Sequence, residues 1–426
     1  MKKILAGVCA ILLPMIVVAS SGDAPSQGIA IAGIRLEFVL FALTLVGVAL
    51  FHNRVLLVAA TGLISILALE LFTTDFNLVH HLEHEWEILL NLFGLLLGFS
   101  VLAKHFEESG VPDNLPKILP SGWKGGFALL VLIFIMSAFL DNIAAALIGG
   151  SIGLVIFRGN VHIGFLAAMV AASNAGGAGS VVGDTTTTMM WIDGVAIEDV
   201  VHAFVGAIPA LFAFGIIAAK QQDRHQPIIK EVNAIVKPID SKKLLICVLI
   251  LIGAVSTNVL LDFPAAGVWA AILIGAFITE TPWKEIPTAL PGTLFLLSLV
   301  LAASMMPVDQ LPAASWQSAF ALGFISSIFD NIPLTKLALD QGGYDWGVLA
   351  YSVGYGGSMV WFGSSAGVAL SNLYPQAKSV GNWVKNGWHV IVAYIIGFFI
   401  MLSIVGWHPH APHRDGDTTP AAESHH

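Results

Sequence analysis

Charge is what this sequence has least of. Of its 426 residues 11% are charged and 56% hydrophobic, and the mean hydropathy is +0.83. A soluble chain carries about 25% charged residues. With the apolar residues gathered into many long runs, the composition is that of a polytopic membrane protein. The net charge of −9 offers no basic surface for nucleic acid. Cysteine is nearly missing. Cys9 and Cys247 each stand alone in an apolar run, which excludes a disulfide framework and a thiolate metal site. The glycine-rich stretches lack the G-x-x-x-x-G-K-[ST] pattern, so nothing points to an ATPase.

What is present is a pair of echoes. Ser137-Ala138-Phe139-Leu140-Asp141-Asn142-Ile143 is matched by Ser326-Ser327-Ile328-Phe329-Asp330-Asn331-Ile332. Each places an acid inside an apolar run, beside an amide and near a hydroxyl. Each is followed by a glycine- and hydroxyl-rich interruption of another apolar run. The two read as halves of one cation site at the middle of a membrane.

The chain in order supports that reading. Lys2 and Lys3, the short run 4–19 and the small residues through Gly28 have the form of a signal peptide cleaved after Ala19. The alternative is a first membrane helix interrupted by Pro14. Full spans are expected at 35–52, 55–72, 87–103, 161–190, 199–219, 244–261, 265–280, 291–306, 346–372 and 388–406, ten in all. Residues 125–157 and 315–343 fit better as re-entrant hairpins with Asp-Asn at the tip. Such backbone is tolerated at membrane depth only inside protein or along a wet cavity. With the mature chain starting outside, Arg54, Lys104, Lys117, Lys124, Arg158, the cluster from Lys220 to Lys243, Lys284, Lys378 and Lys385 all fall on the inner side. Outer loops are acidic instead, as the positive-inside rule requires. Five spans separate the hairpins, so they enter from opposite sides. The expected organisation is then a leader and outer segment (1–28), scaffold spans (29–84), a first repeat (85–219), a cytoplasmic linker (220–243), a linking span (244–261), a second, inverted repeat (262–406) and a His-rich outer tail (407–426). Inverted repeats meeting at the midplane are a plan of secondary transporters.

A carboxylate at membrane depth costs several kcal/mol unless it is paired, solvated or protonated. Asp141 and Asp330 are the first candidates. Asp184 is the third, in the run from Asn174 through Gly176, Gly177, Gly179 and Gly183 to Thr185 and Thr186. Four glycines so close together weaken a helix. A helix broken there bares carbonyls, and hard cations such as sodium favour such oxygens. The second half answers with the run from Gly354 to Ser365, which has hydroxyls but no acid. The expected cation- and proton-binding set is Asp141, Asn142, Asp330, Asn331, Asp184, Ser137, Asn174, Thr185, Thr186, Ser364 and Ser365. Lys336, six residues past Asp330, is either its counter-ion or a side chain snorkelling to the outer surface. Glu70 and Glu280 read as interfacial. His80, His81 and His84 with Glu83, Glu85 and Glu87 read first as a solvated outer loop and second as a proton-sensing or cation-collecting patch, and the terminal histidines first as a solvated tail and second as a loose metal-binding tract. Gly363-Ser364-Ser365-Ala366-Gly367 matches G-x-S-x-G with His389 on the next span, a remote hint of an intramembrane serine protease. That motif needs a strand–turn–helix setting, which is absent from this pattern.

At Phe139 to Ile143, Gly176 to Trp191, Phe329 to Pro333 and Gly356 to Asn372 the sequence resembles the NhaD-type sodium/proton antiporters of the ion transporter superfamily. The resemblance covers most of residues 35–406. It implies an all-α membrane protein of a bacterial inner membrane, with a scaffold and a two-hairpin transport domain. It also implies a homodimer surrounded by lipid, no cofactor, and exchange of sodium or lithium for protons. Dicarboxylate carriers of the superfamily share the plan but carry Ser-Asn-Thr at the hairpin tips, and arsenite carriers are further relatives. An acid at the tip repels a substrate carboxylate and invites a cation.

Overall fold

The structure, a computed structural model, describes residues 29–31, 34–51, 54–229 and 238–410. The expected leader and almost all of the expected tail lie outside the described residues. A helix satisfies its own backbone in lipid, and helices are what the apolar runs form. A two-residue ladder pairs Ala30–Ile31 with Ile34–Arg35. Then come α1 (Leu36–Leu50), α2 (Val55–Thr73), α3 (Leu78–Glu108) and α4 (Val111–Ile118). The first expected hairpin is α5 (Trp123–Ser137) and α6 (Asn142–Ile156), and the first broken span is α7 (Ile163–Ala178) and α8 (Thr185–Ile192). Next are α9 (Ile197–Val201), α10 (Phe204–His225), α11 (Ser241–Leu261), α12 (Pro264–Gly275) and α13 (Glu285–Ser304). The second expected hairpin forms α14 (Trp316–Ser326) and α15 (Asn331–Gln341), and the second expected broken span forms α16 (Trp346–Gly356) and α17 (Ser365–Leu373). α18 (Val380–Asn386) and α19 (Trp388–Ile404) end the described chain.

Among the described residues five helical runs are long and apolar enough to cross a bilayer, and six if α18 and α19, bent by 60°, count as one. The other apolar helices are shorter. α12 has twelve residues, and at 1.5 Å per residue falls well short of a 30 Å hydrocarbon core. Two expectations need correcting. Residues 78–86 are no loop: Asn77 caps α3 by accepting from the amides of Val79 (3.0 Å) and His80 (3.3 Å). Glu85 is buried on that helix rather than solvated. Glu70, in the last turn of α2, accepts from the Thr74 hydroxyl at 2.8 Å. The first residues of the expected tail are tied down too. The His408 amide donates to Asp345 (2.9 Å) and the His410 amide to the Tyr344 carbonyl (3.0 Å).

The most deeply buried helices are the two that break. Every residue of α7 from Gly164 to Ala178 is buried, and every residue of α16. Alanines at 167, 168, 171, 172 and 175 let neighbours approach α7 closely, as small residues do between membrane helices. Around α16, Tyr351 stacks on Tyr394 with centroids 5.7 Å apart. Their hydroxyls donate to the carbonyls of Tyr394 (3.0 Å) and Phe320 (2.8 Å), binding α14, α16 and α19 together.

The two sets of helix breaks share one packing feature. A Cβ on Gly176 would collide with the Phe134 carbonyl oxygen, and one on Gly356 with that of Gly323. Gly183 and Gly363 stand in the same way against the carbonyls of Ser137 and Ser327. Backbone cannot swing aside as a side chain can. Gly176→Ala and Gly356→Ala are each expected to destabilise by about 1–3 kcal/mol or more. Gly381→Ala, with nothing within 4 Å of its Cβ, is expected to be neutral. Thermal unfolding of the three variants in detergent checks this: equal melting temperatures would mean the breaks are not tightly packed.

Candidate functional site

Four half-helices start at the breaks, and an oxygen-bearing side chain caps each. Asp141 accepts from the Ile143 amide (3.2 Å) and Asp330 from the Ile332 amide (3.1 Å). Asp184 accepts from the Thr186 amide (2.9 Å), and Ser364 from the Gly367 amide (3.2 Å). Caps satisfy amides that have no partner in the helix, so the residues carrying charge are also the ones that start helices. At the same breaks α5, α7, α14 and α16 end. Helix C-terminal carbonyls carry partial negative charge, and they add to the side-chain oxygens.

Hydrogen bonds join the pieces. Asn142 donates through Nδ2 to Asp184 Oδ2 (2.8 Å) and to Asn174 Oδ1 (3.3 Å). The Asn174 amide in turn donates to the hydroxyls of Ser358 and Ser364, both at 3.0 Å. The start of α6 is thereby tied to α7, to the start of α8 and to the break between α16 and α17. Ser173 donates to the Asn142 carbonyl, and the Thr186 hydroxyl to Asp184 Oδ1 (2.9 Å). Asp184 is buried, while Asp141 and Asp330 keep partial exposure. Among the described residues none of the three makes an ion pair with a base. Two buried atoms have no partner there: Ser137 Oγ and Asn331 Nδ2.

A cavity of about 1230 Å³ leads to this place. Asp141, Asn142, Asp184, Thr185, Asn331 and Ser365 line its deep part. Its wall along α3 runs from Leu95 to Lys104, Glu107 and Glu108, and along α13 from Leu296 to Glu285. Of the expected residues, six therefore share the cavity, and Asn174, Thr186 and Ser364 stand behind it in the hydrogen-bond network. Asp330 caps the helix on which Asn331 sits. Lys336 goes elsewhere. Fully buried, it donates to Asp340 (2.5 Å) and Glu85 (3.3 Å), so it neither snorkels nor pairs with Asp330. Sequence reasoning did not single out Ser358 or Ser173. Ser358 lies within the quoted glycine run and Ser173 precedes Asn174, but only the fold shows whom they meet.

Residues 3–356 match the model of a family described as citrate transporter. The chain belongs to this CitMHS family. Relatives at low identity carry more specific names. Sodium/proton antiporter 1 of Arabidopsis thaliana is 26% identical over 352 residues, covering 70% of this chain and 58% of that protein. Na(+)/H(+) antiporter NhaD of Vibrio parahaemolyticus is 26% identical over 307 residues, 58% of this chain and 72% of its own length. NhaD of Alkalimonas amylolytica is 26% identical over 310 residues, with 58% and 62% covered. The chain thus spans less than two thirds of the first of these relatives. The names agree with the NhaD-type resemblance of the motifs. CitMHS proteins are transporters, which at family level sets the protease aside. Locally, Ser365 opens a helix that follows another helix, and His389 is engaged by Gln221 at 3.1 Å.

Asp184→Asn keeps the cap of α8 and removes one charge beside the cavity. If the cavity takes sodium, the substitution is expected to raise the half-saturating sodium concentration roughly tenfold, and Thr186→Val only a few-fold, because charged contacts outweigh neutral ones. Sodium titrations of exchange in vesicles check this; unchanged values in both would detach the first broken helix from the site.

Proposed function

We propose that this protein is a secondary antiporter, exchanging sodium or lithium for protons by competition at Asp141, Asp330 and Asp184. One observation carries the reading: the carboxylates of Asp141 and Asp184, from separate helix breaks, converge with amides and hydroxyls at the deep end of one cavity, and among the described residues no basic group is bonded to them. Loss of a proton frees a carboxylate for the cation, and departure of the cation lets it reprotonate. The matched breaks support an inverted repeat, 85–219 against 262–406. Ten membrane crossings follow if each broken helix counts once and the short helices α1 and α12 cross with their flanking residues. The distribution of Lys and Arg supports a mouth on the cytoplasmic side, which makes this conformation inward-open in the proposed cycle. The resemblance adds a homodimer in a bacterial inner membrane, working in pH homeostasis.

The family description names citrate, and the cavity argues against it here. Among the described residues lining it, Lys104 at the mouth is the one base, and the deep end is acidic. A tricarboxylate needs cationic partners to offset its desolvation. Vesicles holding the purified protein and a pH gradient decide. Sodium or lithium is expected to collapse the gradient, with citrate, succinate and arsenite inert. Uptake of labelled citrate or succinate would overturn the proposal.

A further inference from the structure

Lys336 and Glu85 lie outside the cation site and are 251 residues apart in sequence. Both are buried, and their ion pair ties α15, just past the Asp330-Asn331 tip, to α3. Their position along α3 is informative. The cavity wall on α3 begins at Leu95, ten residues beyond Glu85, and reaches Lys104, nineteen residues beyond it. At 1.5 Å per residue those separations are about 15 and 28 Å. The ion pair therefore sits near the end of α3 remote from the mouth. α13 repeats the pattern. Its Glu285 and Ala289 line the cavity, and its last residue, Ser304, is held by His81 of α3 at 2.9 Å. One end of the α3–α13–α15 group is open, and the other is closed by Glu85–Lys336 and His81–Ser304.

We propose that Glu85 and Lys336 form the latch of the closed outer end, made in the inward-open state and broken each time the site opens outward. This rests on the transporter reading above and adds the gating residues. A contact shifts a conformational equilibrium only if the two states make it unequally. Asp340, four residues along the same helix, stays with Lys336 when α15 parts from α3. The ammonium keeps a partner in the outward state. Asp340 thus lowers the cost of opening, which an isolated buried pair would make prohibitive.

The test uses the full chain with Cys9 and Cys247 replaced by serine. Ser151→Cys, on an exposed cavity-lining residue of α6, is the reporter. In inside-out vesicles its reaction with a membrane-impermeant maleimide measures the inward-open fraction. Glu85→Gln and Lys336→Gln are each expected to slow labelling roughly tenfold, since loss of one partner of a buried pair penalises the state that holds it. The exchange Glu85→Lys with Lys336→Glu is expected to restore part of the rate. Unchanged labelling in both single variants overturns the latch. As a second measurement, Glu85→Cys with Lys336→Cys is oxidised. A crosslink that stops transport until it is reduced supports the latch, and a crosslinked protein that transports at full rate overturns it. Labelling does not depend on which ion is carried, so failure of the sodium assignment would leave this readout intact.

Discussion

Asp141→Asn and Asp330→Asn, made singly, are expected to reduce sodium-dependent proton flux to background while the protein still folds and inserts. Both residues are N-caps, of α6 and α15. Asparagine caps a helix about as well as aspartate, so the amide keeps the bond to Ile143 or Ile332 and the shape of the tip. It loses the negative charge and the exchangeable proton together, which competition requires in one group. Asp141→Ala would be less informative. It also removes the cap, worth about 0.5–2 kcal/mol, and leaves loss of activity ambiguous between folding and chemistry. The readout is flux in vesicles of matched protein content, alongside size-exclusion behaviour in detergent. Full flux in either variant would make that aspartate a helix cap and nothing more, and would move the exchange chemistry to the remaining acids.

That double duty explains how much of the site could be read from residues alone. An acid in an apolar run is conspicuous because lipid penalises it, so Asp141, Asp184 and Asp330 stand out with no fold in hand. The glycines stand out because a helix disfavours them, and they do mark the breaks, although only the fold shows that they press against carbonyls. Neutral partners send no such signal. Ser358 and Ser173 look like any serine in a membrane helix, and their value lies in reaching Asn174 and the Asn142 carbonyl from other elements. Glu85 reads as solvated in the sequence for a related reason. It lies among histidines and acids that resemble a wet loop, and its partner Lys336 is far away in sequence. Length misled too: α3 runs 31 residues because its first turns, though polar, are capped by Asn77 and packed against α13. Hydropathy alone starts that span nine residues late.

The apparent sodium affinity is expected to strengthen as pH rises, and the histidines at the start of α3 are not expected to be the cause. In competition, a proton on the carboxylate and a sodium ion beside it exclude one another. At low pH the acids hold protons and sodium binds poorly. As pH rises through their titration the half-saturating sodium concentration should fall, approaching tenfold per pH unit for each competing proton. It levels off once the acids are ionised in the free state. A separate sensor would produce a pH dependence too, and His80, His81 and His84 are the obvious candidates because histidine titrates in the physiological range. Their surroundings argue otherwise. His80 is exposed, 3.9 Å from Glu83 and ring to ring with His84, while His81 bonds Ser304. None of them lines the cavity. Replacing all three by glutamine keeps a hydrogen-bonding group at each position, including one able to reach Ser304, and removes the titration. Half-saturating sodium should be measured from about pH 7 to 9 in the parent and the triple variant, with Glu85 left in place. Parallel slopes are the expected result. A flat parent profile would defeat competition at the aspartates. A slope lost only in the triple variant would place proton sensing at the outer end of α3, beside the Glu85–Lys336 contact rather than in the cation site.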